Sequence, residues 1–282
     1  MDLESEIRHK EEERRHLRQV LGGHTPAEFA LLPEEERKKV YRAHVYVEDA
    51  FIILADGRVN LSSNPELANG LMLLQEYYMG RDEVGKGLVK EARDIFYTEN
   101  TFVVWSYDLR KFVQDTLADG EPVAVENRVQ RITVRVAAEH ASDFNRIPLP
   151  PSETEKSWVA RDLRWLLKFT NAAYIHIEVW GEGTRDGIDL LTQQKIKEMS
   201  IVVKELMDQF VDAVTVTKSV DNGIDYDIID HNITPYWNPP TTAAKERLRR
   251  DGTCSVEELM QIQIEAWVGQ GREVVAKDDH DG

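Results

Sequence analysis

Few strings in this chain of 282 residues combine residue types that could do chemistry. The nearest is GRDEVGKG at residues 80–87, one position from the G-x-x-x-x-G-K-[ST] loop, whose backbone N–H groups cradle phosphate while a hydroxyl reaches Mg²⁺. Gly87 stands where that hydroxyl belongs, and the preceding LLQEYYM has a helical rather than a β-branched pattern. The string therefore reads as a turn or helix start. The eight histidines include no H-E-x-x-H spacing; His176 lies mid-strand in YIHIEV, on the face opposite Ile175 and Ile177. DNGIDYDIID, residues 221–230, lacks the ligand order of a calcium loop and reads as a solvated turn and strand. Cys254 has no local base, and Ser255 with Glu258 has the spacing of a capping box. Asn60-Leu61-Ser62 and Asn232-Ile233-Thr234 match the glycosylation triplet, which matters only in a secreted chain. These readings assign no catalytic residue, no metal ligand and no cofactor.

Composition narrows the partners. Lys and Arg number 35 against 51 Asp and Glu, a formal charge of −16. Binders of nucleic acid or anionic membranes concentrate positive charge, so neither partner is expected. A single cysteine excludes an intramolecular disulfide and suits a reducing compartment. No apolar run approaches the ~20 residues that span a bilayer. The first 21 residues are crowded with Glu and Arg where a secretory leader needs an apolar stretch. The expected location is cytoplasmic or nuclear.

The elements that would position any site follow from periodicity. Residues 1–23 read as a charged, solvated helix, with apolar residues too sparse for a continuous stripe, ended by Gly22-Gly23. Thr25-Pro26 offers a cap with proline at the first helical position, and Pro33 starts an amphipathic helix whose first turn is Glu34 to Glu36. A strand at residues 51–54, an Asp56-Gly57 turn and Val59 form a hairpin. PELANGLMLLQEYYMG and EVGKGLVKEARDIFYTENTFVVWS then read as helix, helix and a strand at residues 101–105. Beyond lies a coarse repeat. Helical patterns at 109–117, 158–169 and 196–210 each precede a β-branched run, and the runs centred on Ile132, Ile175 and Val214 lie 43 and 39 residues apart. Helix-then-strand alternation predicts adjacent parallel strands with helices alongside. Residues 148–157, PLPPSETEKS, form a surface excursion; HNITPYWNPPTTAAKERLRR holds a proline-bounded loop; SVEELMQIQIEAWV is a closing helix.

Two strings together resemble a family. FALLPEEERKKVYRAHV, residues 29–45, is similar to the F-box-like opening of a large group of fungal proteins, with a pattern near L-P-x-E-[LI]-R-x-x-[IV]-Y. VGKGLVKEARDIFYTENTFVV, residues 84–104, resembles their second signature: Ile95, Phe96, Tyr97, Glu99, Asn100, Thr101 and Phe102 stand in the order I-F-Y-x-E-N-T-F. The resemblance places residues 84–92 in a helix and implies a protein partner met through Leu31, Leu32, Pro33, Val40 and Tyr41, such as a ubiquitin-ligase adaptor. Glu36 stands where the pattern has Leu or Ile.

The expected fold is α+β or α/β: a helical F-box-like part with a hairpin over residues 24–106, then irregular α/β repeat units with a parallel sheet over 107–268. These form one compact body, followed by a disordered tail at 269–282. The expected function is non-enzymatic protein–protein interaction. The alternatives are a substrate-recognition subunit of a cullin-type ubiquitin ligase, and an enzyme or small-ligand protein whose site is not visible as a motif. Exposure or burial of Leu31, Leu32, Val40, Tyr41 and Val45 separates a docking patch from a core element.

Overall fold

A computed structural model of the protein describes residues 3–48, 51–55, 58–62, 64–118, 120–138, 158–221 and 228–278. The Asp56-Gly57 turn, the 148–157 excursion, most of the acidic stretch and residues 279–282 lie outside them. The chain is mixed α/β. It divides into two compact units: Met1–Val103 with Lys111–Arg131, and Val104–Arg110 with Ile132–Gly282.

The first unit is mostly helical. Helix α1 (Leu3–Val20) is exposed along most of its length, but Leu17, Val20 and Leu21, spaced to share one face, are buried. The expected wholly solvated helix is therefore anchored at its C-terminal end. Helix α2 (Pro26–Ala30) starts at a complete capping box between Thr25 and Glu28, and α3 (Glu34–Val45) starts behind Pro33. Strand β1 (Phe51–Ala55) pairs antiparallel with β2 (Arg58–Val59), as the hairpin reading requires. The helix expected over PELANGLMLLQEYYMG is replaced by two 3₁₀ turns, Pro65–Ala68 and Gly70–Met72, and a single turn α4 (Glu76–Met79). Gly70 packs under the end of α3: a Cβ there would fall 1.9 Å from the His44 carbonyl oxygen. Helix α5 (Glu83–Glu99) leads directly into β3 (Thr101–Trp105), whose first three residues pair in parallel with residues 51–53 of β1.

The boundary expected between residues 106 and 107 is corrected, because residues 111–131 belong to the first unit. Helix α6 (Leu109–Val113), shorter than expected, carries Phe112, whose ring lies 5.2 Å from Phe102 and 5.9 Å from Tyr97. Just beyond it, Asp115 accepts hydrogen bonds from Tyr97 and Arg93. The single compact body expected over residues 29–268 is likewise replaced by two units.

In the second unit, strands β4 (Arg131–Ala137), β5 (Tyr174–Trp180), β6 (Val214–Asp221) and β7 (Ile228–Asn232) lie in that order. β5 and β6 are parallel, with Ile175 opposite Val214 and Trp180 opposite Ser219. β4 runs the same way: the Ala138 amide donates to the Trp180 carbonyl, and Arg135 meets Glu178. The runs around Ile132, Ile175 and Val214 are thus neighbouring parallel strands, as predicted, while β7 closes the set antiparallel to β6. Their crossovers are unequal. One is α7 (Trp158–Leu163) continued by a 3₁₀ segment; the other is α8 (Leu190–Gln209), which begins six residues earlier than expected because Asp189 caps it. Ile132, Val134, Val136, Ile175, Ile177 and Val179 are wholly buried. Alternation puts them on one face of their strands, the arrangement that makes burying apolar area the main stabilising contribution. A 3₁₀ turn (Thr234–Trp237), α9 (Thr242–Asp251) and α10 (Val256–Asp278) complete the unit. α10 carries helical backbone to Asp278, beyond residue 269 where the tail was expected to start.

Candidate functional site

The residues that the family resemblance singles out occupy two environments. Leu31 is 86% exposed at the end of α2, Pro33 is exposed, and Leu32 and Val40 are half-buried. Tyr41 is completely buried, its ring edge-on to Phe29 at 5.5 Å, and burial pushes its phenol far above the usual range. Val45 is core as well. Tyr41 and Val45 therefore belong to the interior of the unit, and Leu31 and Pro33 are the members presented to solvent.

The I-F-Y-x-E-N-T-F residues converge on one structural junction. Ile95, Phe96, Tyr97 and Phe102 are buried, with Phe96 and Phe102 ring centroids 5.3 Å apart. Asn100 is 1% exposed. Its Nδ2 donates to the carbonyls of Val45 (2.9 Å) and Phe96 (2.8 Å), and its Oδ1 accepts from the Val47 amide (2.9 Å). One amide side chain thus ends α5, ends α3 and fixes the lead-in to β1. Glu99 takes Arg42 through two guanidinium nitrogens, at 2.8 and 2.7 Å. Thr101 opens β3.

The near-phosphate loop is a helix start. Asp82 caps α5 by accepting from the Gly85 amide at 2.8 Å. Gly80 has φ +114°, and a Cβ on Gly85 would lie 2.3 Å from the Gly80 carbonyl oxygen. Tight packing of this turn explains both glycines without a ligand.

In the second unit one face of β4, β5 and β6 is polar. Arg135 Nε donates to Glu178 at 2.7 Å, and its guanidinium lies 4.7 Å above the Trp180 ring. His176, half-buried as expected, is hydrogen-bonded through Nε2 to Thr217 Oγ1 at 2.8 Å, and burial lowers its pKa. Ser219 donates to Asp230 at 2.6 Å. On the opposite face, level with Val179, the fully buried Lys218 donates to the carbonyls of Gly181 (2.5 Å) and Glu182 (3.1 Å), at the root of the glycine-rich segment between β5 and α8. Asp189 binds the other end of that segment through the Thr184 and Thr192 amides, which lower its pKa against an opposing desolvation larger than any single bond. In each of these sets the polar groups act on one another. Among the described residues no group of three His, Cys, Asp or Glu is placed to hold a metal ion, and no helix is long and apolar enough to cross a membrane.

An open concavity lies elsewhere in the second unit, where the proline-bounded loop meets α8 and α10. It encloses about 290 Å³, and Trp237, Pro239, Pro240, Ile264 and Val268 line it together with Lys204, Gln261 and Glu265. Three side-chain hydrogen bonds hold the loop. Trp237 Nε1 donates to the Ser200 carbonyl at 3.1 Å, Gln261 Nε2 to the Pro235 carbonyl at 3.0 Å, and Tyr236 Oη to the Asp186 carbonyl at 2.8 Å. Burial pushes the Tyr236 phenol up to about 12. Thr241 then caps α9, and the expected box between Ser255 and Glu258 caps α10. The prolines and tryptophan of TPYWNPP were the available signal, but only packing places them over Ile264 and Val268. No protein-family model, no curated protein and no solved structure matches the chain.

Proposed function

We propose that the chain is a non-enzymatic protein that acts by binding another protein, and that the cleft beside Trp237 is where it does so. The observation that carries this reading is a preformed, largely apolar concavity built on three pinned side chains, Trp237, Gln261 and Tyr236. Its size and lining suit a few apolar side chains of a partner segment, and a loop already held by hydrogen bonds lowers the ordering cost of binding. The polar sets at Arg135, His176, Ser219 and Lys218 are each closed on internal partners, which supports binding over chemistry in this unit.

Affinity capture from cells with the full chain tests the reading. Pro239→Arg, at an exposed cleft position, should lose the wild-type partners, and Leu31→Arg in the first unit should keep them. Retention of every partner by Pro239→Arg overturns it. The ligase-receptor alternative places an adaptor on residues 29–45, where Leu31 is available but Tyr41 and Val45 are committed to the interior. A pull-down against the adaptor should show weak or no binding; strong binding lost in Leu31→Arg would instead favour that role.

A further inference from the structure

We infer that β7 is a second contact surface, where an extended basic segment of a protein partner adds as a further strand. This goes beyond the cleft reading, because it uses a different part of the unit. β7 stands at the end of the strand order, and among the described elements β6 alone packs closely against it. Its register with β6 is unbroken from Thr217 opposite Asn232 to Asp221 opposite Ile228, and the Ile233 amide donates to the Val216 carbonyl. Bonded positions alternate along an antiparallel ladder. Residues 229, 231 and 233 therefore turn their N–H and C=O groups to β6, and Asp230 and Asn232 turn theirs outward. Among the described residues nothing bonds to those outward backbone groups.

Such a row of donors and acceptors is complementary to the backbone of another extended chain. Two of the devices that blunt sheet edges are missing: IIDHN has no proline, and its register has no bulge. The remaining one, a charge, selects the occupant. Asp230, His231 and Asn232 are exposed, and Asp230 is the strand's carboxylate, with one oxygen taken by Ser219 at 2.6 Å. A Lys or Arg opposite Asp230 meets opposite charge, whereas a Glu or Asp meets like charge. A second copy of this chain fits worse. Each copy carries −16, and pairing centred on Asp230 sets two carboxylates against each other.

A fluorescently labelled seven-residue peptide of alternating Thr and Val with Lys at its centre, and its Glu counterpart, are titrated into the full chain. The Lys peptide should bind about fivefold tighter, a preference that falls as salt rises and that Asp230→Lys reverses. Methylating alternate backbone amides leaves the peptide one edge able to pair and should preserve binding; methylating every amide should abolish it. Asn232→Pro removes an outward N–H and spares the β6 ladder, so it should weaken binding at least about tenfold with the circular-dichroism melt preserved. Equal affinity for the two peptides, preference for the Glu peptide, binding that survives full methylation or Asn232→Pro, or binding of neither peptide overturns the inference. So does a dimer of the chain that Asn232→Pro dissolves, since a second copy then fills the edge. Pro239→Arg should leave peptide binding unchanged; loss there would put the peptide in the cleft, overturning the edge inference and leaving the cleft reading standing.

Discussion

In the first unit, residues more than fifty positions apart are tied together by side chains. Arg37 meets Glu91 through two nitrogens and caps the Ala30 and Leu32 carbonyls, Arg42 meets Glu99, and Asn100 binds both Val45 and Val47. In the second unit the strands are tied by the backbone pairings of β5 with β6 and of β6 with β7, with side-chain bonds such as that from Tyr236 to the Asp186 carbonyl beside them. Helices satisfy their own backbone bonds and need side chains to fix their mutual arrangement; strands fix theirs through the ladder itself. Single polar substitutions should therefore cost the first unit more than the second.

Asn100 gives the sharpest way to break that comparison. Asn100→Leu removes three hydrogen bonds from a site 1% exposed and leaves two buried carbonyls and an amide without their partner. The expected loss is about 3 kcal/mol, read as a lowered denaturation midpoint. A change below about 1 kcal/mol would show that the junction is held by aromatic packing alone.

Lys218→Met is the matching test in the second unit. It keeps the buried aliphatic stem and frees the Gly181 and Glu182 carbonyls, at an expected cost of about 2 kcal/mol. Hydrogen exchange should show the loss concentrated in residues 181–189, with β5 and β6 still protected. Collapse of protection throughout both strands would mean that side chains matter as much here as in the first unit.

Arg37→Met should cost less, about 1 kcal/mol, because Glu91 is 36% exposed and the pair is partly screened. Glu91→Gln, which keeps the shape, should recover part of the bonding, and a double-mutant cycle gives the coupling.

The smallest effect is a pH dependence carried by one histidine from each unit. Burial is the main cause that holds both below the ordinary value of 6.5. Around His44 a backbone bond to Val20 opposes the shift and His16 assists it. Around His176, Glu178 and Asp230 oppose it and Arg135 assists it. Each is neutral when folded at pH values where the unfolded chain already binds a proton. Their contribution is therefore complete above about 6.5 and is lost as pH falls from there toward the lowered folded values. His176→Gln should flatten the acid limb of a stability-versus-pH curve; a steeper limb would contradict the assigned direction.

Much of the local structure was legible in the sequence, because caps, turns and alternation are short-range. Thr25-Pro26 and Ser255 with Glu258 became real caps, His176 took the face that period-two counting assigns, and three β-branched runs became neighbouring parallel strands. The candidate site was not legible: Trp237 belongs to a different element from Ile264 and Val268, and nothing in TPYWNPP states that α10 returns beneath it.

The sequence by itself determined the caps at Thr25 and Ser255 and the alternation of the strands, since capping and side-chain periodicity act over a few residues and need no partner. Tertiary structure alone decided which residues would be interior. Tyr41 and Leu31 lie ten positions apart in one F-box-like string, yet one is sealed against Phe29 and the other is 86% exposed. Tertiary contact also returned residues 111–131 to the first unit, through Phe112 on the aromatic cluster and Asp115 on Tyr97 and Arg93. Burial depends on what distant segments bring to a surface, and no local pattern carries that information.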